Sequence, residues 1–248
     1  NPREQTPPNI AGDIRVASFN VLNYFNGDGQ GGGFPTERGA NSQAELDRQT
    51  DKIVAAIQSL DADIIALVEL ENDYIDGPLS AIASLTDELN AAGPIVYNWV
   101  DPGQNVGDDA IAVGFIYREE VVRVKNGTTI EILDDSDLGS LGLSDLAPVF
   151  NGVSTNRAAL AATFKVKDNT KTSKNEVFTL VVNHFKSKGS NNCTGANCDQ
   201  GDGQGAYNLR RKAAAQALVA WLDSKPTGTN DDDYLILGDL NAYAMEDP

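Results

Sequence analysis

The stretch Tyr234-Leu-Ile-Leu-Gly-Asp-Leu-Asn-Ala-Tyr243, a few residues before the end of the sequence, decides how the rest is read. Residues 234–237 form a short apolar run that Gly238 stops at once, the pattern of a buried strand ending abruptly. Asp239 and Asn241 follow two positions apart, so at extended spacing their side chains point the same way. An acid and an amide displayed together at the end of a core strand cost desolvation energy unless something uses them. Gly, Asp and Asn are also ordinary turn residues, and one such stretch alone is equally well a turn.

The arrangement recurs, and the recurrence favours a site. A strand-like segment from Arg15 ends in Asn20, and Asp63-Ile-Ile-Ala-Leu-Val68 ends in Glu69. Phe178-Thr-Leu-Val-Val182 ends in Asn183 and His184. If these strands share a sheet, a Glu, an Asp, a His and several amides gather on one rim. Glu69 and Asp239 are hard oxygen ligands suited to Mg²⁺ or Mn²⁺, which keep several waters and need few carboxylates. A His beside them can exchange a proton during phosphoryl chemistry. Each has a plainer alternative: a lone buried His is commonly a hydrogen-bonded core residue, and Glu69 could cap a turn. Glu69 and Glu71 cannot be a glycosidase pair, because neighbours on one strand do not flank a sugar bond from opposite sides.

Working outward, periodicity predicts helices over residues 45–60, 78–92 and 208–223. It predicts strands over 14–21, 63–68, 95–100, 110–117, 121–125, 158–166, 176–185 and 234–237, with a hairpin across 167–175. Residues 131–144 read as loop or short helix. The Gly-rich residues 26–39 read as a flexible surface insertion, since no Gly-Lys-Ser/Thr follows to make a phosphate-binding loop. Alternating helices and strands, then strand pairs, suit a layered sheet packing with helices outside.

With 19 basic and 36 acidic residues the formal charge is −17, which argues against holding nucleic acid by broad electrostatics. It is compatible with a secreted protein kept soluble by charge, or with one that carries cations. No apolar stretch approaches the ~18 residues of a membrane span, and no membrane partner is expected. Residues 1–13 are expected to be a polar, Pro-rich tail without a signal-peptide core. Cys193 and Cys198 sit in a Gly/Asn-rich loop; a small disulfide in an oxidising compartment is favoured over two free thiols.

Several ordered segments resemble the metal-dependent endonuclease/exonuclease/phosphatase superfamily, the deoxyribonuclease I-like proteins, and within it the large secreted bacterial nucleases. They are Arg15-Val-Ala-Ser-Phe-Asn-Val-Leu-Asn-Tyr-Phe25, Asp63-Ile-Ile-Ala-Leu-Val-Glu-Leu-Glu-Asn72, Asp109-Ala-Ile-Ala-Val-Gly-Phe-Ile-Tyr-Arg118, Asn156-Arg157, Asn183-His-Phe-Lys-Ser-Lys-Gly189 and Gly238-Asp-Leu-Asn241. The resemblance runs from residue 14 to 248 and implies one α/β domain, a four-layer sandwich of two mostly antiparallel sheets with outer helices. It implies a phosphodiesterase: Glu69 holding the divalent cation with Asn20 nearby, Asp239 and Asn241 orienting the attacking water or the phosphate, and His184 acting on the leaving oxygen or the phosphorane. Arg157 would contact a phosphate, Asp109 would orient His184, and Asn183, Lys186 and Lys188 would contact substrate. Lys186, Lys188, Arg210 and Arg211 could form a basic rim, or be solvated surface. Asp199 and Asp202, beside the cysteine pair, are a candidate structural Ca²⁺ loop that lacks EF-hand spacing.

The family's second His, with its Asp partner, follows the Gly-Asp-Leu-Asn segment, whereas this sequence has a single His. The domain is therefore expected to be incomplete at its C-terminus. The leading expectation is a secreted bacterial nuclease, extracellular or periplasmic, monomeric, acting on DNA with little sequence preference. Another phosphoesterase of the same fold, acting on lipid head groups or sugar phosphates, and an inactive binding module are the alternatives.

Overall fold

The computed structural model describes residues 11–248, so residues 1–10 of the expected tail lie outside the described residues. Two mixed sheets pack face to face. The first has strand order β1-β2-β4-β3, built from β1 (Val16–Tyr24), β2 (Ile64–Glu71), β3 (Tyr97–Trp99) and β4 (Ile111–Arg118). The second runs β5-β7-β8-β9, from β5 (Val122–Val124), β7 (Ala159–Val166), β8 (Val177–His184) and β9 (Tyr234–Asp239), with β6 (Glu131–Leu133) also paired to β7. Two pairings are parallel, β1 with β2 and β8 with β9; the remaining pairings are antiparallel.

Strand alternation sorts the core into layers. Leu160, Ala162, Phe164, Leu180 and Val182 face the first sheet, where Phe115 and Tyr117 meet the Phe164 ring edge-on at 5.9 and 5.6 Å. Ala159, Ala161 and Val181 face outward and are covered by Ala214, Ala217, Leu218 and Trp221 of α3 (Asn208–Asp223). On the opposite outside lie α1 (Gln43–Leu60) and α2 (Ala81–Ala91). The stack is helix, sheet, sheet, helix, as the resemblance implies.

Local chemistry places these elements. Ser42 caps α1 by accepting the Glu45 N–H, and Glu45 returns a bond to the Asn41 N–H at 2.8 Å. Ile53, Val54 and Ile57 then form the stripe that α1 buries, each such side chain contributing about 1.5–3 kcal/mol. The second helix starts later than periodicity suggests: a 3₁₀ segment, Tyr74–Leu79, holds Pro78, and the helix proper begins after the cap Ser80. Gly114 on β4 leaves room for the elements packed above it, since a Cβ there would run into Ile82 of α2 and the Tyr74 hydroxyl.

Three expectations need correction. Residues 131–144 open with strand β6, too short to show a period. Residues 26–39 are not an independent flexible insertion: Asp28 Oδ1 accepts the N–H groups of Gln30 and Gly32, and Gly29 packs on the Leu79 carbonyl. The rim strands do not share one sheet either. Asn20 and Glu69 belong to the first sheet, His184 and Asp239 to the second, and the short turn after Arg118 carries the chain from one sheet to the other.

Candidate active site

The two parallel pairs, β1–β2 and β8–β9, lie over one another with their carboxyl ends at the same edge. That edge carries the site. In β2 the register with β4 slips between Val68 and Leu70, leaving Glu69 as the unpaired bulge residue with φ +66°. In β1 the register slips between Asn20 and Tyr24, and Leu22 and Asn23 also take positive φ. Non-glycine residues in this region carry strain, and bulges re-aim side chains. Here both bulges turn onto one carboxylate. Asn20 Nδ2 donates to Glu69 Oε1 at 2.9 Å, and the Asn23 N–H donates to Oε2 at 3.2 Å.

Gln49, a residue that sequence reasoning missed, braces this arrangement from α1. Its side-chain amide donates to the carbonyls of Val21 and Leu22 at 2.9 and 2.8 Å. It lies in a polar stretch of a surface helix, and only the bulge gives it a partner; no sequence signal marks it.

Across the gap, His184 Nε2 stands 3.9 Å from Glu69 Oε1. His184 is 4% exposed and its Nδ1 has no hydrogen-bond partner among the described residues. Burial, reinforced by the Arg157 charge, lowers its pKa to about 4, so the imidazole is neutral at neutral pH, with one nitrogen to donate and one to accept. Asp239 pairs with His184 in the β8–β9 ladder and shares its face; its Oδ1 fixes the following turn by accepting the Asn241 N–H at 2.8 Å. Asn241, at φ +48°, donates its side-chain amide to the Phe185 carbonyl at 2.9 Å.

Arg157 is anchored by its own N–H, which donates to the His184 carbonyl at 3.1 Å. Asp109 lies 3.2 Å from Arg157 Nε and is also paired with Arg38. Asp109 therefore serves these two cations and does not orient His184 as expected, because the arginines claim both carboxylate oxygens. Arg157 Nε is turned to Asp109, its buried Nη1 has no hydrogen-bond partner among the described residues, and burial lowers its pKa. A guanidinium with spare donors on this edge suits a phosphate.

Other expected contacts fall elsewhere. Asn183 lies on the opposite face of β8 from His184, since its neighbour Val182 points to the inter-sheet core, and its amide donates to the Leu237 carbonyl. Lys188 is engaged by Glu246 and by the Tyr243 ring, and Lys186 sits 4.9 Å from the Tyr207 ring centre. Arg211 is fully buried and donates to the carbonyls of Lys186, Ala206 and Gln204, while Arg210 is bonded to the Pro148 carbonyl. The expected basic rim is thus largely internal bracing. Cys193 and Cys198 form the disulfide. Beside it Asp199 and Asp202 each accept the backbone N–H two residues on, and among the described residues no third carboxylate joins them.

The donor set suits one kind of metal. Among the described residues no three His, Cys, Asp or Glu side chains converge as a cage. Glu69 instead offers a carboxylate at this edge, held by the Asn20 Nδ2 amide while Asn20 Oδ1 accepts the Leu22 N–H at 2.8 Å, and a single carboxylate of this kind fits Mg²⁺ or Mn²⁺ carrying several waters. Bound there, such a cation would neutralise charge building on a phosphate.

With this geometry in hand, comparison with known proteins is decisive on one point. The model of the endonuclease/exonuclease/phosphatase family matches residues 17–248. The chain belongs to that family. No curated protein sequence matches it. Among solved structures it is similar to the human Nocturnin catalytic domain with bound sulfate, at 15% identity and TM-score 0.51, covering 94% of this chain and 66% of that one. It is also similar to ANGEL2, a 2′,3′-cyclic phosphatase, in complex with adenosine-2′,3′-vanadate, at 12% identity and TM-score 0.50, covering 94% and 54%. At such identities the likeness concerns the fold. The chain spans about two thirds of the first of these structures and about half of the second.

Proposed function

We propose that this chain carries the catalytic face of a divalent-metal-dependent nuclease that hydrolyses phosphodiesters of DNA. The observation that carries the reading is the meeting of Glu69, on its β2 bulge, with the buried His184 across the two sheets. Glu69 would hold Mg²⁺ or Mn²⁺, with Asn20 fixing its carboxylate from beside it. Arg157, whose Nη1 has no partner among the described residues, would bind a non-bridging phosphate oxygen. Asp239 and Asn241, on the His184 side, would orient the water or the phosphate, and His184 would exchange a proton with the reacting oxygens. Nucleic acid would be met locally, at this edge, since the whole protein carries a formal charge of −17.

Secretion is part of the same reading. The Cys193–Cys198 disulfide supports an oxidising compartment, and the acidic charge supports solubility outside the cell. A monomer is the assembly we adopt.

Nicking of supercoiled plasmid in Mg²⁺, Mn²⁺ or EDTA tests it. Nicking that EDTA stops, and that Glu69→Gln and His184→Ala each lower at least a hundredfold, is the expected result. Nicking that survives EDTA or either substitution would remove the proposal.

A further inference from the structure

The site does not end at Asn20. On the α1 side of β1 a groove of about 570 Å³ opens, walled by Phe19 and Asn20 on one side and by Arg38, Arg48, Gln49 and Lys52 on the other. Its charge runs against that of the whole protein. Three cations line it, and its only acid, Glu45, already accepts from the Asn41 backbone and side-chain amides. Arg38 is spent on Asp109, which ties the groove to Arg157. Arg48 and Lys52 are different. They stand four residues apart on α1, so they project from one helix face; both are exposed, and neither forms an ion pair among the described residues. At the mouth Leu22 is 74% exposed, its backbone held at positive φ by the bulge that Gln49 braces.

A groove that begins at Asn20, beside Glu69, and carries two exposed cations outside any ion pair fits a chain of phosphates better than a single one. Resting on the nuclease reading, we propose that this groove takes the polynucleotide strand flanking the scissile phosphate, with Arg48 and Lys52 binding successive neighbouring phosphates. Leu22 and Phe19 supply apolar surface for the sugars and bases between them. The substrate class this selects is a polynucleotide several residues long, rather than a nucleotide or another small phosphoester.

The test compares the full chain with Arg48→Ala/Lys52→Ala, and with Lys167→Ala/Lys174→Ala as a charge-matched control at the far end of β7. Equilibrium binding of a fluorescent single-stranded oligonucleotide is measured in EDTA against salt, so that no turnover is needed. Each lost phosphate contact lowers the log–log salt slope by about 0.7. The groove variant is expected to lose about 1.4 from the slope and about tenfold in low-salt affinity, with the control unchanged. In Mg²⁺ or Mn²⁺ the ratio of kcat/KM on the oligonucleotide to that on bis(p-nitrophenyl) phosphate should fall about tenfold for the groove variant. Equal salt slopes for the three proteins, or no oligonucleotide binding at all, would overturn the groove. Binding that depends on Arg48 and Lys52, with neither substrate hydrolysed, would keep the groove and remove the nuclease.

Discussion

Gly238 passes so close to Asn183 in the neighbouring strand that a Cβ at this position would overlap the Asn183 carbonyl oxygen. Its φ of +115° is open to glycine and strained for other residues. This approach fixes the parallel register in which His184 and Asp239 face one another. Gly238→Ala should therefore cost about 3 kcal/mol, from clash and backbone strain together. Differential scanning calorimetry should show Tm lower by roughly 6–12 °C, and the surviving folded protein should lose activity because the register beneath His184 has moved.

Gln49 makes a different kind of prediction. Its two bonds to the β1 bulge are worth about 1–2 kcal/mol together, so Gln49→Ala should melt only slightly earlier. Since the bulge positions Asn20 and Asn23 on Glu69, Mn²⁺ affinity measured by calorimetric titration should drop about tenfold. A purely structural Gln49 would move the melting point and leave Mn²⁺ binding alone.

Asp109 spans Arg38 and Arg157. Asp109→Asn would leave the buried Arg157 charge poorly compensated, with an expected loss of about 1–3 kcal/mol in urea unfolding. Because the same substitution frees Arg157 to shift, KM for a phosphodiester should change along with stability. The pH profile of kcat should stay as it is if Asp109 does not orient His184.

Asp73, beyond the end of β2, gives a pH dependence. Burial first, then the Asp76 charge, raises its pKa to about 6 from the ordinary 3.8, and its Oδ1 lacks a partner. The folded state thus binds more protons than the unfolded state between these values. The contribution to stability is complete below pH 3.8 and is lost as pH rises through 6, on the order of 2–3 kcal/mol in all. Burial and the Asp73 charge also push Glu71 up to about 7, so Asp73→Asn should lessen the fall in stability between pH 4 and 7, measured by urea unfolding, without abolishing it.

The strands and helices that bury a face were legible from period alone: β1, β2, β4, β7, β8, β9, α1 and α3 lie where apolar spacing puts them. Strand β6 was not, because three residues hold no period. The residues at strand ends, Asn20, Glu69, His184 and Asp239, were legible as polar groups with no local use. Their distribution over two sheets was not, since pairing partners lie up to dozens of residues away and the turn after Arg118 carries no mark of a sheet crossing. Nor was the fate of the cations. Arg211, Lys188 and Arg210 look like a basic rim in one dimension, and only the fold shows each already bonded to a carbonyl, a carboxylate or a ring.

Because Glu69 and His184 stand on separate sheets, the distance between them is a sheet-to-sheet spacing, and aromatic rings fill part of the space between the layers. Phe164 touches Phe115 and Tyr117 from the opposite sheet and stacks on Phe178 within its own. It acts as a shim. Shaving it, as in Phe164→Leu, would let the layers settle together and change the separation of Glu69 and His184 from a position far from either of them.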